Sequence, residues 1–168
     1  MMPQRGLAHP GDPSELGRTP AADAADGWTV HTDGTAWPNP GRMGLGAVLV
    51  APDGRRLTLS IAAPQSGCNN EAELRAVMAA LALARAEGAE VVRLHCDNSI
   101  VVAELAGTAP RPMARLHGLF DEARVLAASF RRLELVWIPR HRNAEADVLA
   151  RAAVGLAPKL AKASRRKR

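Results

Sequence analysis

Four acidic residues stand where hydrophobic segments reach their polar edges, each inside a short polar signature. They are Asp33 in Thr32-Asp33-Gly34-Thr35, Glu73 in Asn69-Asn70-Glu71-Ala72-Glu73-Leu74, Asp97 in Cys96-Asp97-Asn98-Ser99, and Asp147 in Asn143-Ala144-Glu145-Ala146-Asp147. Together they suggest one set of oxygen ligands, because hard cations such as Mg²⁺ and Mn²⁺ are held by carboxylates. Such a site suits phosphodiester cleavage, where paired metals activate a water and stabilise the leaving oxygen. Each residue also has a plainer reading. Asn70-x-x-Glu73 resembles a capping box with Asn70 as N-cap, Asp33 is a turn residue before Gly34, and Asp147 is a solvated helix carboxylate. These readings are independent and must all hold at once, so the joint pattern favours the metal site. Glu71 and Glu145, beside the chosen acids, read as solvated.

The elements that must position these groups follow from periodicity and punctuation. Residues 28–32 form a short strand that delivers Asp33 at its C-terminal end. Residues 34–46, with Pro38, Asn39, Pro40, Gly41 and Gly44, read as turn chemistry. Residues 45–51 and 56–62 form an antiparallel hairpin about Pro52-Asp53-Gly54. A helix starts at Asn70, carries Leu74, Val77, Met78, Leu81 and Ala82 at helical spacing, and stops at Gly88. Residues 91–95 form a buried strand ending at Asp97, and 99–105 a short helix closed by Gly107. A longer helix covers 113–129, a last strand 132–138 before Pro139, and a last helix 143–154. The order βββαβααβα predicts a mixed α/β domain. Carboxylates at the carboxyl ends of adjacent parallel strands would meet there.

Composition narrows the setting. Aromatic residues make up only 3% of the 168 residues, and Tyr is absent. No apolar run approaches the roughly 20 residues of a membrane span, and the polar start lacks a secretory apolar core. Cys68 and Cys96 make neither a disulfide framework nor a zinc site, so the expected setting is reduced and cytoplasmic. Residues 1–27, rich in Pro, Gly, Asp and Ala, read as disordered. Residues 28–157 form the folded domain, and 158–168 a basic tail. Six of the 22 basic residues fall between Lys159 and Arg168, which leaves the domain itself nearly neutral. A basic tail favours a polyanion, or it is simply solvated.

These motifs, in this order, resemble the type 1 ribonuclease H family across nearly all of residues 28–155. Thr32-Asp33-Gly34-Thr35 with Asn39-Pro40-Gly41 and Gly44-x-Gly46 is similar to its first-strand signature, and Asn69-Asn70-x-x-Glu73-Leu74 to its helix-opening motif. Cys96-Asp97-Asn98 stands where the family has Asp and a small polar residue. Trp137-Ile138-Pro139-Arg140-His141-Arg142-Asn143 with Ala146-Asp147-x-Leu149-Ala150 is similar to its closing strand and helix. The resemblance implies a ribonuclease H-like fold, a mixed five-stranded sheet with an antiparallel hairpin and parallel strands, flanked by helices. It implies that Asp33, Glu73, Asp97 and Asp147 hold two Mg²⁺ or Mn²⁺ ions. It implies hydrolysis of the RNA strand of an RNA–DNA hybrid to 5′-phosphate and 3′-hydroxyl ends. The expected partner is the hybrid and no membrane, and the expected state a monomer. Gly34 (through its backbone), Asn39, Asn69 and Asn70 match positions that contact the hybrid, and RNA is distinguished through its 2′-hydroxyls. Two alternatives are activity on double-stranded RNA or RNA–DNA junctions, and a non-catalytic nucleic-acid binding module.

The closing loop is the short version, with Arg140 seven residues and His141 six residues before Asp147. The resemblance to short-loop members points to Arg140 as a phosphate contact. Side-chain chemistry points to His141 as a proton carrier, because Arg cannot give up its proton. Arg140 ranks first. No Lys/Arg- and Trp-rich protrusion lies between Asp97 and Trp137, so the tail is expected to supply phosphate contacts instead, with none of its residues reaching the metals.

Overall fold

The structure, a computed structural model, describes residues 25–159. Most of the expected N-terminal segment and most of the basic tail lie outside the described residues. Three strands come first: β1 (Trp28–Trp37), β2 (Gly41–Val50) and β3 (Arg56–Gly67). Helix α1 (Asn69–Ala86), β4 (Val91–Cys96), α2 (Ser99–Leu105), α3 (His117–Ala128), β5 (Arg132–Trp137) and α4 (Ala144–Ala153) follow. The sheet runs β3-β2-β1-β4-β5, with β1–β2 and β2–β3 antiparallel and β1–β4 and β4–β5 parallel. This is the expected mixed five-stranded sheet in the expected order.

Helix α1 packs on one face of the sheet. Its Val77, Leu81 and Ala84 meet Val30, Leu49, Val92 and Leu94 in the main core. Leu74 turns instead toward Val101, Leu116, Phe120 and Ala123, which ties α2 and α3 to α1. A fully buried Leu or Val side chain contributes about 1.5–3 kcal/mol, so these contacts hold the helices to the sheet. Small residues Ala72, Ala76, Ala80 and Ala84 are all fully buried and let α1 lie close. The helix ends at Gly88, in the left-handed region at φ +83°. At the β2–β3 turn, Asp53 Oδ1 accepts from the Arg55 N–H at 2.9 Å, an Asx-type turn closed by Gly54.

Several expected element boundaries are corrected. Strand β1 continues to Trp37, so Asp33 lies inside it and not at its end. Thr35, Ala36 and Trp37 continue it because Gly44, Met43 and Arg42 of β2 stand opposite as partners. The turn is then only Pro38, Asn39 and Pro40. Gly44 and Gly46 are consequently strand residues. A Cβ on Gly44 would overlap the Ala150 carbonyl oxygen, and one on Gly46 the Ala146 carbonyl oxygen. Their missing side chains let the α4 backbone rest directly on the sheet. The long helix expected over 113–129 is a 3₁₀ turn (Ala114–Leu116) followed by α3, and the last helix begins at Ala144.

Candidate active site

Asp33 and Gly34 are neighbours on a strand, so their side-chain positions face opposite sides of the sheet. Asp33 pairs with Gly46, which lies beneath α4, and so faces α4. Gly34 faces α1, where a Cβ would collide with the Ala72 carbonyl and the Glu73 nitrogen. The first turn of α1 therefore sits directly on the strand. Pairing between β1 and β4 ends at Thr32 with Cys96. Beyond that point the flank of β1 is open, and carboxylates from both sides of the sheet and from the end of β4 converge there.

Asp33, Glu73 and Asp97 each offer one oxygen, and these oxygens lie within 4.8 Å of one another. Asp33 is 5% exposed and Glu73 6%. Burial, with the charges of Asp97 and Asp147, pushes the Asp33 carboxyl up to about 7, although a hydrogen bond with Glu73 opposes this. Burial also holds Glu73 well above the usual carboxylate range. The charges of Asp33 and Asp97 add to that, and the Gly34 N–H pulls the other way. Ligand oxygens facing one another across a Mg²⁺ ion stand about 4 Å apart. Three acidic oxygens at this spacing, crowded enough to disfavour their own ionisation, fit a divalent cation that would relieve the repulsion.

Asp147, the fourth candidate, stands beside this triad and is not part of it. It acts on Asp33 by charge and hydrogen bond, but its Oδ1 also accepts from Lys159 Nζ at 3.2 Å. Lys159, the first of the six basic tail residues, thus contacts one of the four candidate metal ligands. The chain after α4 doubles back, which no local pattern announces.

The capping-box reading of Asn70 and Glu73 is also set aside. Helix α1 starts at Asn69, its N-cap is Cys68, and no side chain caps it. Asn70 Oδ1 instead accepts from Asn98 Nδ2 at 2.8 Å, while Asn98 Oδ1 caps α2 by accepting from the N–H groups of Ile100 and Val101. Two of the sequence motifs are thereby tied together. Asn69 Oδ1 accepts from the Ala36 N–H at 2.8 Å, and Asn39 Oδ1 from the Asn69 N–H at 3.1 Å. The substrate-contact candidates Asn39 and Asn69 thus meet beside the start of α1, both exposed, whereas Gly34 lies buried under it. Of the two neighbouring acids expected to be solvated, Glu145 is exposed and Glu71 is not. Glu71 pairs with Arg75 at 2.9 Å with its side chain only 18% exposed, and Glu145 takes both oxygens to Arg56 at 2.7 Å. His31 and His95 stack at 4.4 Å between ring centroids, in keeping with a structural role.

Comparison with known proteins follows the same outline. A family model described as reverse transcriptase-like matches residues 31–153. The bifunctional protein Rv2228c of Mycobacterium tuberculosis is 36% identical over 135 residues, which cover 80% of this chain. That match spans only 37% of the relative's length. The solved N-terminal ribonuclease H domain of Rv2228c, fused to maltose binding protein, superposes with a TM-score of 0.70 at 33% identity, covering 76% of this chain and 92% of that one. The chain belongs to the ribonuclease H family. Ribonuclease H1 of the halophilic archaeon Halobacterium salinarum superposes with a TM-score of 0.71 at 30% identity, over 76% of this chain and 97% of that one. LC11-RNase H1, solved in complex with an RNA/DNA hybrid, gives 0.68 at 28% identity, over 76% and 96% of the two chains.

In this ribonuclease H family member the closing segment is one 3₁₀ turn, Arg140–Arg142, after Pro139. The side chains of Arg140 and His141 are exposed, and neither makes a hydrogen bond or ion pair among the described residues. Both are free to meet a ligand. Asn143, just beyond, is the residue that sequence reasoning passed over. It is 2% exposed, and its Nδ2 donates to the Thr32 carbonyl at 2.8 Å and to Asp97 Oδ2 at 3.0 Å. It stands at the N-cap of α4, yet its side chain does not cap the helix. It steadies Asp97, as does the Trp137 indole, which donates to the Asp97 carbonyl at 3.2 Å. Removing a group that orients a ligand commonly costs 10- to 100-fold in affinity or activity. Asn143→Ala should lower turnover by about tenfold or more in a protein that still melts cooperatively. Unchanged turnover would reduce Asn143 to a link between β1 and the closing turn.

Proposed function

We propose that the domain is a metal-dependent endoribonuclease that hydrolyses the RNA strand of RNA–DNA hybrids, leaving 5′-phosphate and 3′-hydroxyl ends. The observation that carries this reading is the convergence of Asp33, Glu73 and Asp97 from three separate elements to within 4.8 Å, two of them buried. The relative LC11-RNase H1, solved with an RNA/DNA hybrid, supports the choice of substrate. Mg²⁺ or Mn²⁺ held by this triad, with Asp147 beside it, would activate a water and stabilise the leaving oxygen.

The chain's own residues do the rest. Asn143 and Trp137 hold Asp97 in place. Gly34 lets the Glu73 end of α1 come down onto β1. Asn39, Asn69 and Asn70 are the candidate contacts to the hybrid, because amides can both donate to and accept from 2′-hydroxyls without adding charge. Arg140 steadies a phosphate oxygen as a permanent cation, and His141 is the candidate for moving a proton.

A labelled hybrid incubated with Mg²⁺ or Mn²⁺ tests the activity, with double-stranded RNA and an RNA–DNA junction run beside it. Cleavage of the hybrid's RNA strand alone is the expected result, and binding without cleavage in either metal would sink the proposal. Arg140→Ala and His141→Ala should each slow turnover by roughly 10- to 100-fold, within the range of a single acid–base or phosphate contact. Turnover profiles across pH 6 to 9 separate them. A large loss in His141→Ala with Arg140→Ala near wild type would reverse their ranking.

A further inference from the structure

The last described residues return to the site. Helix α4 ends at Gly155, in the left-handed region at φ +75°, where the Gly155 N–H donates to the Ala152 carbonyl. The Leu156 N–H then donates to the Arg151 carbonyl at 2.9 Å, and Arg151 Nε to the Ala157 carbonyl at 2.8 Å. These bonds fold the chain back along the helix it has just left. From Asp147 to the end of α4 is about 10 Å at 1.5 Å per residue, and four extended residues span about 13 Å. The reversal is therefore just long enough to place Lys159 Nζ 3.2 Å from Asp147 Oδ1.

We propose that Lys159 is a further residue of the site, an ammonium latch on Asp147 that sets how much divalent cation the site requires. The inference rests on reading the carboxylate cluster as a metal site. Asp147 acts directly on Asp33, so a positive charge on Asp147 partly offsets the cluster's repulsion and competes with an incoming cation for that oxygen. The pair is built to exchange. The Lys159 side chain is 58% exposed and that of Asp147 21%, and exposed ion pairs are weak. A divalent ion can displace the ammonium, at a moderately higher ion concentration. The bond from the Arg151 guanidinium to the Ala157 carbonyl gives the latch its aim, since it holds the returning segment without touching a carboxylate.

The test is calorimetric titration of the full chain with Mn²⁺ at low ionic strength, which reads uptake without reference to activity. Lys159→Ala should bind Mn²⁺ about two- to fivefold more tightly than wild type, the range that follows from the weakness of an exposed pair. Arg151→Ala should shift affinity in the same direction, and Lys159→Arg, which keeps the charge, should stay near wild type. The gap should narrow in molar salt, which screens an exposed pair. Equal or weaker uptake by Lys159→Ala than by wild type overturns the latch while leaving the metal site standing. No uptake by any form overturns the metal reading and the latch with it.

Discussion

Asp33→Asn and Asp97→Asn should each abolish nearly all hybrid cleavage while the domain stays folded. An amide matches the carboxylate in shape but supplies neither its charge nor two acceptor oxygens, and a hard cation depends on both. A thousandfold loss corresponds to about 4 kcal/mol of transition-state stabilisation, a reasonable share for one ligand in a two-metal reaction. The expected loss is therefore about 10³ or more at saturating Mg²⁺. The same crowding that makes these groups useful works against the metal-free fold, because burial and like charge both disfavour the ionised forms. Both variants should then melt at or above the wild-type temperature in EDTA. Activity within tenfold of wild type in either variant would show that the triad does not hold the reacting metal.

In EDTA, the wild-type domain should lose stability as pH rises from about 4 to 7. Asp33 has its carboxyl raised from 3.8 to about 7 in the folded state, so the folded chain binds this proton more tightly than the unfolded chain does. Stability linked to such a group is fully present below the unfolded value and is lost as pH climbs through the folded value. At 1.36 kcal/mol per pH unit, Asp33 alone contributes at most about 4 kcal/mol across that window. Glu73, raised for the same reasons, adds a loss of the same sign. His31 opposes them. Burial and the neighbouring His95 lower its pKa, against a smaller pull from Glu145, so its contribution grows as pH rises toward its unfolded value near 6.5. Urea melts at pH 5, 6, 7 and 8 with wild type and Asp33→Asn side by side cancel that common background. The wild type should show the steeper fall, and Mg²⁺ should restore stability at pH 8 by binding the folded state. A wild type that gained stability over this range relative to Asp33→Asn would contradict the crowded-carboxylate account.

Much of this was legible without coordinates, for reasons that can be stated residue by residue. The chemistry of the site is carried by side-chain type, so Asp33, Glu73, Asp97 and Asp147 could be picked out from their polar signatures. The order of elements follows from local periodicity, as in α1, whose Leu74, Val77 and Leu81 are buried where helical spacing puts them. Local patterns could not say which glycines turn and which pack. Gly44 and Gly46 look like turn residues along the chain, and only the α4 backbone lying against them shows that they are strand positions without side chains. Likewise Asn70 and Glu73 fit a capping box until Asn98 claims the one and Asp33 the other. The division of the four acids into a triad and a neighbour depends on where β4 stops beside β1, a matter of register between segments more than sixty residues apart. Asn143 and Lys159 escaped notice for the same reason. A hydrogen bond from residue 143 to residue 97, or from 159 to 147, exists only once the chain has folded back on itself. Local sequence carries propensity and chemistry, and long-range packing alone decides which of those groups meet.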